Sequence, residues 1–361
     1  MFGQDEVSSL PVANSTFWYR GGKTVSGCKY PVIGFSEITA RIWSTMNLFE
    51  EVLSHHQTML LDGGLATQLE AQGHDISTTL WSASLLQTNP QAIVDAHLAY
   101  LEAGAQCIIS ASYQASRHGL MSLGISAEEA DALIVSSVSL ARTACEQFLA
   151  ANPGLPYTPI VAASIGPFGA TLHDGSEYTG KYEIDVAGLR QFHAARLALL
   201  DAAGADVLAC ETIPNAAEAG VLCELLMDAA TPAWISFSCR NSHCISDGTS
   251  LRAVAEMFRE HPRVVAIGIN CTAPHLVATL IGEIKQAAPS KAIVVYPNTG
   301  EKYEAADNSW FGMVSPVECA DAAVTWRNAG ADIIGGCCRV GPHHIAAMGE
   351  KLGIGARPQQ T

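Results

Sequence analysis

The stretch Ala329-Gly330-Ala331-Asp332-Ile333-Ile334-Gly335-Gly336-Cys337-Cys338 decides how this chain folds. It follows a helix-like segment and runs into a short apolar segment. A glycine just past a helix end takes the left-handed conformation at little steric cost, so the phrase reads as a helix-to-strand joint. The same joint recurs at Ala203-Gly204-Ala205-Asp206 and, shortened, at Ala103-Gly104-Ala105. Start signals agree with these stops. Asn89-Pro90 and Ser315-Pro316 each place a capping side chain before a proline at the first helical position, ahead of apolar residues at helical spacing.

Working outward from the joints, eight short apolar runs read as strands: 59–62, 107–110, 160–163, 207–210, 234–238, 264–269, 293–296 and 332–334. They are continuous rather than alternating, as in parallel strands buried on both faces, and helical stretches separate them. This is the alternation of an α/β protein, and eight units predict a single-domain (β/α)8 TIM-like barrel. An open doubly wound sheet is the weaker choice, because the first strand does not lead into a Gly-x-Gly-x-x-Gly phosphate turn. The barrel domain is expected over residues 46–355. Residues 1–45 lack helical or strand periodicity and read as a poorly ordered leader or an upstream extension.

Composition narrows the partners. The 35 acidic and 20 basic side chains give a formal net charge of -15, which repels phosphate backbones and anionic lipid, so neither nucleic acid nor membrane is expected. No apolar segment reaches spanning length, and Asp5 and Glu6 stand where a secretory signal wants basic residues. The reading is a soluble, cytoplasmic protein. Eleven cysteines spread over 361 residues suit reduced thiols, not a disulfide framework. Nothing in the sequence sets an oligomeric state.

In such barrels the reacting groups lie at the carboxyl ends of the strands. Those positions hold Asp62-Gly63-Gly64, Ser112-Tyr113, Glu211-Thr212, Asn270-Cys271 and Gly336-Cys337-Cys338. Cys271 ends the sixth strand and Cys337-Cys338 the eighth, so one intervening strand separates them and the three sulfurs can converge on the rim. Adjacent cysteines bridge each other poorly, which argues against a Cys337–Cys338 disulfide. Three thiolates form a tetrahedral zinc site with one open position, the mark of a catalytic zinc. Two other readings stand beside it: ordinary buried thiols, or a phosphate loop at Gly335-Gly336. A thiolate-rich zinc is a weak Lewis acid toward water but suits a substrate thiol, which it would hold in ionised form.

A longer set of phrases resembles the homocysteine S-methyltransferases, and within them the bacterial and plant group that uses S-methylmethionine. These are Leu61-Asp62-Gly63-Gly64, Leu80-Trp81-Ser82, Ala111-Ser112-Tyr113-Gln114-Ala115, Ile165-Gly166-Pro167-Phe168-Gly169, Asp174-Gly175-Ser176-Glu177-Tyr178, Cys210-Glu211-Thr212-Ile213-Pro214-Asn215, Gly268-Ile269-Asn270-Cys271, Tyr296-Pro297-Asn298-Thr299-Gly300-Glu301 and Ile334-Gly335-Gly336-Cys337-Cys338-Arg339. The resemblance implies a distorted barrel with Zn2+ on Cys271, Cys337 and Cys338, taking homocysteine as the thiol and S-methylmethionine or S-adenosylmethionine as the donor. It implies that Glu211, with Asp62, holds the amino-acid part of homocysteine, Glu211 facing the ammonium, and that Gly63 and Gly64 let backbone amides approach the carboxylate. Trp81, Ser112, Tyr113 and Asn270 complete the expected substrate-binding set, with Trp81, Tyr113, Phe168 and Tyr178 as faces for a sulfonium. The cobalamin and folate domains of the large methionine synthases are absent from these 361 residues, which favours a small soluble donor. Two rivals remain at this point: a metal-buffering barrel without turnover, and a hydrolase using Asp62 and Glu211 as an acid–base pair.

Overall fold

The computed structural model describes residues 58–75, 82–300, 302–304, 309–311 and 315–354. The expected leader and Trp81 lie outside the described residues. All eight expected strands are present: β1 Met59–Leu60, β2 Cys107–Ile109, β3 Ile160–Ile165, β4 Val207–Ile213, β5 Ala233–Phe237, β6 Val264–Asn270, β7 Ala292–Tyr296 and β8 Ile333–Ile334. Each is parallel to its neighbour, β8 returns to β1, and a Leu61–Cys107 bridge joins β1 to β2. The sheet closes on itself as a (β/α)8 barrel. A small antiparallel hairpin, Lys302–Glu304 with Ser309–Phe311, follows β7 and was not expected from the sequence. Among the described residues no helix is long and apolar enough to cross a membrane.

The joints behave as the sequence implies. Helices Pro90–Glu102, Val186–Ala202 and Pro316–Ala329 stop just before Gly104, Gly204 and Gly330, whose φ values are 102°, 88° and 113°. The polar residue that opens each following strand has a second use. Gln106 Oε1, Asp206 Oδ2 and Asp332 Oδ2 accept the backbone N–H of Leu60, Val161 and Ile293 on the adjacent strand, at 3.0, 2.8 and 2.8 Å. Each acceptor satisfies a donor that would otherwise be orphaned at the sheet's amino edge. The capping signals fare unequally. Ser315 forms a full capping box with Glu318, whereas Asn89 precedes its helix without a side-chain cap bond.

The core has two shells set by strand parity. Met59, Leu61, Cys107, Ile160, Ala162, Val207, Ala209, Trp234, Ala266, Val294 and Ile333 point into the barrel. Their neighbours Leu60, Ile108, Val161, Ala163, Leu208, Cys210, Ile235, Ile267, Ile293, Val295 and Ile334 pack outward against the helices. Both faces are dry, which is why the strands read as unbroken apolar runs.

Candidate active site at the carboxyl rim

Carried two residues further, or four on β6, the inward parity changes character. Ser164, Glu211, Ser236, Asn270 and Tyr296 sit above the apolar layers, all buried. A β-bulge sharpens the turn at Glu211: between Cys210 and Ile213 β4 holds one residue more than β5 opposite it. Bulges of this kind re-aim a side chain. Thr212, a β-branched residue, takes φ 60° there. Asn270 holds the strained segment, its Oδ1 accepting from the Thr212 N–H at 2.7 Å and its Nδ2 donating to Thr212 Oγ1 at 2.7 Å. Ser236 donates to the same Oδ1 at 2.9 Å.

Glu211 accepts a short hydrogen bond from Ser164. Burial raises its pKa to about 7, against the opposing pull of the Ser164 and Tyr296 hydroxyls and the Arg196 charge. Asp62, two residues past β1, is also buried, and burial holds its pKa well above the usual carboxylate range. The Ile109 N–H pulls that pKa back at 2.8 Å through Oδ2, while the Glu211 charge pushes it up. Asp62 Oδ1 is buried with no hydrogen-bond partner among the described residues. Two buried carboxyl groups that repel each other make a receptor for a cation.

Cys271, Cys337 and Cys338 converge as the sequence implies, with all three sulfurs within 4.8 Å of one another. Cys271 and Cys337 are joined as a disulfide, where three reduced thiols were expected. Cys338 Sγ lies 3.6 Å from Cys271 Sγ and 3.9 Å from Cys337 Sγ. A zinc with Zn–S bonds of about 2.3 Å in tetrahedral geometry spaces its sulfurs by about 3.8 Å. The Cys338 separations already match that edge. Reduction of the Cys271–Cys337 pair would free the third edge, so the donor set fits zinc.

The sulfurs form one side of a cleft of ≈ 730 Å³ whose other walls include Gly63, Gly64, Tyr113, Tyr178, Glu211, Thr212 and Tyr296. Tyr178 Oη lies 4.0 Å from Cys338 Sγ. Ser112 and Asn270 are fully buried and stand behind the wall instead of lining it. Ser112 Oγ donates to the Ser164 carbonyl, and Asn270 is spent on Thr212 and Ser236. Phe168 faces away, packed against Tyr182 and Phe192. Gly63 is set by packing: a Cβ there would meet the Val340 carbonyl oxygen at 2.1 Å. The Gly64 N–H is likewise taken by Val340 O at 2.9 Å, so that amide does not face the cleft as expected.

Two supports went unnoticed in the sequence. Arg196, buried on the outer helix Val186–Ala202, donates to the carbonyls of Ser112, Tyr113 and Gly166 at 2.5, 2.6 and 3.0 Å and so fixes the Tyr113 wall. Glu218 accepts from the Phe168 N–H at 2.7 Å, pairs with His193 at 2.7 Å and takes the Tyr182 hydroxyl. That network fastens both ends of the loop that carries Tyr178.

Comparison with known proteins follows the same outline. The sequence model of the family described as homocysteine S-methyltransferase matches residues 59–352. Homocysteine S-methyltransferase of Escherichia coli is 45% identical over 309 residues, which are 84% of this chain and 98% of that one. The crystal structure of the homocysteine methyltransferase MmuM from Escherichia coli in its metallated form superposes with a TM-score of 0.76 at 42% identity, covering 84% of this chain and 100% of that one. Its oxidized form gives the same TM-score at 43% identity, covering 85% and 99%.

Proposed function

The chain belongs to the homocysteine S-methyltransferase family and is a homocysteine methyltransferase; from that premise we propose that it takes its methyl group from S-methylmethionine and works with zinc held by Cys271, Cys337 and Cys338. The observation that carries this reading is the convergence of three sulfurs on the same cleft as the Asp62–Glu211 pair. Bound zinc would supply a place for the homocysteine sulfur and lower the pKa of that thiol to make it nucleophilic at neutral pH.

The chain's own residues do the rest. Glu211 and the unpartnered Asp62 oxygen receive the homocysteine ammonium, whose charge relieves two carboxyl groups that burial disfavours as anions. Ser164 and Tyr296 fix the orientation of Glu211, and the Asn270 clamp fixes the bulge that aims it. Tyr113 and Tyr178 bound the cleft beside Cys338, where they offer aromatic surface to a sulfonium. A sulfonium leaves as a neutral thioether, so no residue has to protonate it. Alignment and exclusion of water are what the cleft contributes.

The Escherichia coli relative has been seen metallated and oxidized. That pair of states supports reading the Cys271–Cys337 disulfide as the oxidised counterpart of the metal site. Methionine formation from homocysteine, measured on reduced zinc-loaded enzyme with S-methylmethionine and S-adenosylmethionine supplied separately, tests the donor. Turnover with S-adenosylmethionine alone would replace S-methylmethionine in this reading.

A further inference from the structure

Glu177 belongs to a short 3-10 turn, Ser176–Tyr178, on the loop after β3. The next residue, Tyr178, lines the cleft with its hydroxyl 4.0 Å from Cys338 Sγ. The backbone of Glu177 is pinned from two sides. Its carbonyl accepts from Ser238 Oγ at 3.1 Å, and Gly169 packs so closely on its N–H that a Cβ at Gly169 would lie 2.8 Å from the nitrogen. The side chain is 4% exposed, and Oε2 is buried without a hydrogen-bond partner among the described residues. A charged Glu177 adds to the causes that raise the pKa values of Tyr113, Tyr178 and Cys338, three residues of the cleft wall. Glu177 therefore stands next to Tyr178 behind the sulfur side of the cleft, whose wall it does not itself join.

A buried carboxylate with an unsatisfied oxygen is costly unless a cation or donor meets it. Homocysteine brings one cation, and the Asp62–Glu211 pair takes it. A sulfonium donor brings a second positive centre, whose methyl has to face the cysteine cluster. We propose that Glu177 is the counter-ion of the methyl donor's sulfonium, the positioning residue that makes this cleft select a charged donor over its neutral thioether product. The proposal rests on the methyl-transfer reading above. The sulfonium loses its charge as the methyl leaves, so a carboxylate beside it favours bound donor more than the transition state. Removal of the charge should raise the donor's KM and Kd and leave kcat at or above the wild-type value. Once the sulfur is neutral, methionine has no charge there to hold, which favours its release.

The test compares wild type and Glu177→Gln as reduced, zinc-loaded enzymes, titrated calorimetrically with S-methylmethionine, S-adenosylmethionine and methionine. Methionine keeps an ammonium and lacks the sulfonium. Glu177→Gln should weaken sulfonium binding about tenfold or more while methionine affinity, homocysteine KM and melting temperature stay within about twofold or a degree of wild type. Glu177→Asp keeps the charge and should keep the preference for sulfonium over thioether, which covers the case of an unstable Gln variant. Equal losses for methionine and the sulfonium compounds, or no loss at all, would overturn the role of Glu177 alone. A wild-type enzyme that binds neither sulfonium would overturn the donor class, and the counter-ion role with it.

Discussion

The two ends of the barrel use polar side chains in opposite ways. At the amino end Asp206 and Asp332 each accept an N–H from the adjacent strand, and Asp206 also pairs with Arg142 at 2.6 Å. At the carboxyl end Asp62 makes the same kind of bond to Ile109, but among the described residues its second oxygen has no partner, nor has one oxygen of Glu177. Strain divides the same way. Thr212 and Cys271, with φ of 60° and 45°, both lie at the carboxyl end. The amino rim spends its carboxylates on the fold, while carboxylates at the carboxyl rim keep oxygens without partners among the described residues and bear the energetic cost.

Substitutions at the two rims should therefore separate activity from stability. The largest effect is expected at the sulfurs. Cys338→Ala should abolish most metal binding and reduce methyl transfer by about a thousandfold or more, since two thiolates hold zinc poorly. Circular dichroism should be unchanged, because Cys338 stands at the rim and belongs to neither core shell. Collapse of the secondary structure on metal loss would merge the two rims into one structural unit.

Next comes Glu211→Gln. A charged hydrogen bond contributes roughly 1.5 to 3 kcal/mol, so the homocysteine KM should rise about 10- to 150-fold with zinc retained. Ammonium binding requires the ionised carboxylate, and the free enzyme protonates Glu211 below about pH 7. Homocysteine affinity should thus fall as pH drops through 7, by up to about tenfold per unit. In Glu211→Gln that step should vanish, leaving only the dependence due to the substrate thiol. An identical pH profile in both enzymes would remove Glu211 from the ammonium site.

The smallest effect belongs to the amino rim. Asp332→Ala leaves the Ile293 N–H without its acceptor and should lower stability by about 1 to 3 kcal/mol, seen as a drop of a few degrees in melting temperature. kcat/KM per folded molecule should not change. A loss of activity without a loss of stability would break the contrast between the rims.

Most of the barrel was legible because parallel strands buried on both faces leave a continuous run of apolar residues, and the Ala-Gly-Ala phrase marks where three of them begin. The convergence of Cys271, Cys337 and Cys338 was legible for the same reason: strand ends can be located, and the ends of two nearby strands carry these three cysteines. The roles of Ser112, Phe168 and Asn270 were not. At a strand end the sequence does not say whether a side chain faces the cleft or the layer behind it, and a bulge such as that at Glu211–Thr212 shifts the parity locally. Tyr296 and Ser164 could have been reached by counting two residues up from Val294 and Ala162 on the inward face. Arg196 could not, since its role depends on a helix packing over three distant carbonyls. The Cys271–Cys337 disulfide also escaped, because convergence at a rim is compatible with either chemistry.

X-ray absorption at the zinc edge of the reduced, metal-loaded enzyme tests most directly whether these cysteines hold a substrate-activating metal. Three sulfur neighbours and one lighter atom should become four sulfurs at about 2.3 Å when homocysteine is added. A sulfur count that does not rise with homocysteine would contradict thiol activation at this site.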